Sequence, residues 1–166
     1  MLSLHRSFDP VGCPVVVRAQ EAGALRAVLD AAPRHGYRLS STPGTRPLTL
    51  ERGSVGSFAV LGMGVRPAGA RSARWSVLHV VPSGLPDGLL HLAFQVLRAQ
   101  QPREGRAAAQ ALLSELVRGW HESDELVGTG AWAPLRTGLH TARAWQDGSG
   151  REGGQGAGAG PSDRLL

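Results

Sequence analysis

The stretch from Arg103 to His121 constrains the fold more than any other part of this chain. Ala109, Leu112, Leu113, Leu116, Val117 and Trp120 recur at the three- and one-residue steps that put side chains on one face of an α-helix. Arg106, Gln110, Glu115 and Arg118 fall elsewhere. Pro102 suits the first helical turn, and Glu104 complements the positive end of the helix dipole. Burying each large side chain of such a stripe contributes about 1.5–3 kcal/mol before ordering entropy is deducted, so the helix needs an apolar surface to face.

A sheet is the surface that the rest of the sequence can supply. Pro14 to Arg18 is short and β-branched, which favours a strand. From Gln20 the period becomes helical, with Leu25, Val28, Leu29 and Ala32 on one stripe that Pro33 and Gly36 end, so a first helix is predicted over Glu21 to Ala32. Tyr37 and Leu39, then Leu48 and Leu50, alternate with polar residues on either side of a Thr42-Pro43-Gly44-Thr45 turn, which predicts a hairpin. Phe58 to Leu61 is a further apolar run, and Trp75 to Val81 and Leu89 to Leu97 flank the turn-forming residues Pro82 to Gly88.

The order strand, helix, four to five strands, long helix predicts an α+β fold: an antiparallel meander sheet packed by two helices in a single domain over residues 10–123. Residues 124–147 read as an aromatic-containing extension with the makings of a short docked helix. Residues 148–166 are almost entirely small, polar or glycine, a composition that cannot bury enough apolar surface to offset ordering, and are expected to form a disordered tail.

A hairpin centred on Leu85 would place His79 opposite His91. Its even-numbered side chains, Leu78, Val80, Leu90, Leu92 and Phe94, form the face expected to receive Leu113 and Leu116. The other face carries Trp75, Val77, His79, Val81 and His91, with Leu89 and Ala93, and these first five are the interaction-face candidates. Either that face is a ligand cavity or subunit interface, or Ala131 to Gln146 folds back over it.

Composition argues against several chemistries. The chain has no lysine, isoleucine or asparagine, so all 18 of its basic residues are arginine, a joint loss that reflects a GC-rich genome. The net charge of +5 therefore says little about an anionic partner. Arg66, Arg71 and Arg74 lead into Trp75, but three Phe, one Tyr and four Trp are too few for a base-stacking platform, and nucleic acid is not the expected partner. Cys13 is the single cysteine, which excludes an internal disulfide and a cysteine zinc cluster and favours a reducing, cytoplasmic setting.

His121-Glu122-Ser123-Asp124-Glu125 places Glu where a zincin helix needs its second histidine. Gly62-Met63-Gly64 is followed by Pro67 where a dinucleotide fingerprint needs glycine, no P-loop exists without lysine, and Ser54 lacks the glycine of a nucleophile elbow. No metal and no cofactor are expected, and no run approaches the ~20 apolar residues of a transmembrane segment. The leading expectation is a noncatalytic module that binds a protein partner or a second copy through the open sheet face. The alternative is a small apolar-ligand binder, or a weak enzyme using His79 or His91 as acid or base, with its cavity between the sheet and the second helix.

Overall fold

A computed structural model describes residues 9–42, 44–53 and 75–149. Strand β1 (Val11–Val17) leads to helix α1 (Glu21–Ala31), a 3-10 turn at Ala32–His35, β2 (Tyr37–Leu39) and β3 (Leu48–Arg52). Then come β4 (Ser76–Gly84), β5 (Leu90–Ala99), the long helix α2 (Pro102–Glu122), β6 (Leu126–Thr129), β7 (Ala133–Pro134) and a short helix α3 (Ala142–Gln146). All pairings are antiparallel, in the order β2-β3-β4-β5-β1-β6, with β7 also on β1. This is the α+β arrangement that the sequence predicts. Among the described residues, no helix is long and apolar enough to cross a membrane.

The core lies between one face of the sheet and the two longer helices. Alternation along β1 sends Cys13, Val15 and Val17 into it, and β3, β4 and β5 add Leu50, Leu78, Val80, Leu92 and Phe94. Helix α2 answers with Ala109, Leu112, Leu113, Leu116 and Trp120, all buried, so the predicted stripe faces the predicted strands. At its start the helix comes very near β5. A Cβ on Gly105 would fall 2.5 Å from that of Ala99, so only glycine permits this approach. The first helix ends as expected, through Pro33 and the left-handed Gly36 at φ 77°.

Two expectations need correction. The β4–β5 hairpin is centred on Asp87, not Leu85: Leu85 N–H donates to the Leu89 carbonyl, His79 lies opposite Gln95, and His91 lies opposite Ser83. The residues Pro82 to Gly84, read as turn, continue β4. Strand β3 stops opposite Val80, so among the described residues no strand pairs with β4 on that side at Pro82, where a missing N–H is tolerated. Glu115, which falls off the α2 stripe, is held by two partners. It accepts from the Arg34 guanidinium, and its Oε2 lies 2.6 Å from His35 Nε2, which ties α2 to the turn after α1.

The residues after α2 join the same sheet, since β6 pairs with Val15–Val17 and β7 with Val11 and Gly12. The Phe58–Leu61 apolar run, the arginine-bearing loop, Ser54 and almost all of the tail lie outside the described residues.

Candidate functional site

The face of the sheet turned away from α2 carries the residues singled out from sequence. Val77 and His91 are buried there, whereas Trp75, His79 and Val81 are half-buried. Their common face follows from parity: moving the hairpin centre by two residues changes every partner and leaves each side chain on its side.

Residues 133–149 cover the β1, β5 and β6 portion of this face. A Cβ on Gly12 would lie 2.7 Å from Leu135 Cδ2 and 2.9 Å from His140 Cβ, while one on Gly128 would meet the Trp145 ring. Two small residues thus make the shallow seats into which the segment settles. Thr141 caps α3 by accepting from Ala144 N–H at 3.2 Å, which orients Trp145 for burial.

Beneath this segment two histidines replace the pair expected from sequence. His91 is 1% exposed and His140 8% exposed. Among the described residues, neither ring nitrogen of His91 has a hydrogen-bond partner, and neither has Nδ1 of His140. Burial pushes the His91 pKa down to about 4, and the adjacent His140 adds to the depression; the nearby His140 backbone offsets part of it without reaching good hydrogen-bond geometry. Burial also lowers His140 and His79. Among the described residues no three His, Cys, Asp or Glu side chains gather into a group that could hold a metal ion.

The other side of the sheet opens to solvent beside α2. A cleft of about 390 Å³ has Cys13, Leu113, Val117 and Trp132 as its apolar lining and Gln110, Ser114 and Thr129 as polar groups. The Cys13 thiol donates to the Gly130 carbonyl at 3.2 Å, and its burial pushes its pKa up to about 12 against a weaker opposing pull from Arg106. A thiol held protonated in this way packs as a small apolar group. The cleft lies between the sheet and the second helix, where the alternative reading put its cavity, but its lining was not identified, because Cys13 is about a hundred positions or more from the residues it meets there. The parity of Cys13 with Val15 and Val17 was the only local signal.

A second groove, about 460 Å³, runs between α1 and α2, where Gly23, Ala27 and Gly119 lack bulk above Leu116 and Trp120. Its charged groups, Asp30, Arg34, Glu115 and Glu125, are of both signs and favour no ionic ligand. Comparison with known proteins gives no match to this chain from any family model, any curated protein or any solved structure.

Proposed function

We propose that this chain is a noncatalytic binding module whose cleft between β1 and α2 receives a small, largely apolar ligand. The observation that carries this reading is the cleft itself: Leu113, Val117, Trp132 and the protonated Cys13 offer an apolar lining, and Gln110, Ser114 and Thr129 offer a few orienting polar groups. Its volume of about 390 Å³ suits a compact molecule. Trp132 supplies a flat surface for a planar ligand to stack upon. We assign no acid–base role to His91, which is withdrawn from solvent. The free thiol of Cys13 fits a cytoplasmic setting.

Native mass spectrometry of freshly purified protein, followed by titration with a fluorescent naphthalene sulfonate, tests the proposal. A retained small molecule, or probe binding that Val117→Arg abolishes while the fold persists, supports it. A clean apo mass together with probe binding indifferent to Val117→Arg sinks it.

A second reading rests on the half-buried Trp75, His79 and Val81, which would let a protein partner or another copy of the chain pack on the β4 portion of the outer face. Nucleic acid is a poorer fit, because Arg34, Arg46 and Arg143 each have a carboxylate neighbour in Glu115, Glu21 and Asp147. Light scattering separates the two readings: a monomer at every accessible concentration, and no copurifying partner lost on Trp75→Arg, leaves the ligand cleft alone.

A further inference from the structure

The segment from β7 through α3 rests on the sheet by way of two buried imidazoles, His91 and His140, that have no carboxylate beside them among the described residues. His91 sits mid-face on β5, with Ser83 of β4 and Val16 of β1 as its register neighbours, and neither carries charge. Gly128 of β6 is the partner of Val16 and brings no functional group. From the overlying segment come His140 and Trp145. The remaining charged groups there, Arg136, Arg143 and Asp147, are exposed; Arg136 lies 4.0 Å from Asp9, and Arg143 lies 3.8 Å from Asp147. No carboxylate among these neighbours is placed to neutralise an imidazolium, and the nearest titratable group is a second histidine. An added proton on His91 would be a buried charge with no counterion among the described residues, eased only in part by the His140 backbone.

We propose that residues 133–149 form an acid-released strap, which protonation of the His91–His140 pair lifts from the outer face of β1, β5 and β6 while α2 and the helix-facing core stay folded. The seats at Gly12 and Gly128 are contacts of fit, which a lifted strap loses together. The core on the other side of the sheet contains neither histidine, so its stability does not depend on their charge.

The direction follows from the neutral form being the one that the closed state accepts. A folded-state pKa near 4 for His91, against an ordinary value of 6.5, leaves the strap fully stabilised above pH 6.5 and progressively weakened as pH falls from there toward 4. The lowered His140 acts in the same sense. This inference is independent of the ligand cleft, which lies on the opposite side of the sheet.

Amide hydrogen exchange on the full chain between pH 7 and pH 4.5, corrected for the intrinsic exchange rate, tests it. The Thr141, Trp145 and Asp147 amides, which bond to Gly138, Thr141 and Arg143 carbonyls, report the strap; those of β4 and β5 report the sheet. Strap protection is expected to fall by up to about tenfold per pH unit below pH 6.5 for each histidine that takes up a proton, while sheet protection holds. His91→Leu should flatten that dependence. Unchanged strap protection, simultaneous loss in the sheet, or an equal fall in a folded His91→Leu protein would overturn the proposal. Histidine ring titration of the unmodified protein by NMR covers the case of a variant that does not fold: strap opening must track His91, and a mismatch of the two transitions is equally fatal.

Discussion

Trp145 lies over Gly128 so closely that a Cβ there would come within 2.7 Å of its Cη2 and 3.1 Å of its Cζ2. Gly128→Ala should therefore push the indole off its seat and destabilise the protein by about 1–3 kcal/mol, as overpacking does elsewhere. Gly119→Ala on α2 is the control, because none of the described residues lies within 4 Å of its added methyl and a helix interior prefers alanine. Paired thermal denaturation curves should show the first variant melting lower and the second unchanged or higher.

Leu116 is buried against the core from the middle of α2. Leu116→Ala should cost about 2–5 kcal/mol, the range for removing a buried leucine and leaving a partly relaxed cavity. Urea denaturation measures it. A midpoint equal to that of the unaltered protein would mean that the helix presents a different face.

Glu115 is held at a pKa of about 2, chiefly by the Arg34 hydrogen bond and then by His35. A carboxylate whose folded value is depressed contributes stability above its ordinary value of 4.5 and loses it as pH falls from there toward 2. Its side chain is a quarter exposed, so solvent and salt screen the contribution. Glu115→Gln should be the less stable protein at pH 6, and its denaturation midpoint should converge on that of the parent near pH 2.

Cys13 should be slow to react. At pH 8 a thiol with a pKa near 12 is almost wholly protonated, and its side chain is 2% exposed. Labelling by a disulfide reagent should proceed at the rate of unfolding and accelerate on adding denaturant. Prompt labelling of the native protein would show that β1 opens locally.

The legibility of the chain divides along physical lines. The α2 stripe and the faces of β4 and β5 were readable because each depends only on a local period. The His79–His91 pairing was misread because register depends on where the hairpin turns, and nothing in Pro82-Ser83-Gly84 reveals that β4 continues past the end of β3. The Glu115 bridge to Arg34 and His35 was likewise invisible, since it arises only once the turn after α1 has been brought beside α2. Folding back of Ala131–Gln146 stood as one of two open alternatives; the seats at Gly12 and Gly128 became recognisable only with their partners in place.

The position of β1 has a consequence for how the protein is made. Strand β1 is flanked by β5 and β6, two strands that follow it by more than seventy residues, so its valine-rich edges lack these partners until residues 90–99 and then 126–129 have emerged. A nascent chain carries that strand without its native neighbours while the intervening residues are made, and the sheet closes only when both partners have emerged. A chain cut short before Leu126 would retain one bare β1 edge permanently, the kind of surface that recruits other copies into aggregates.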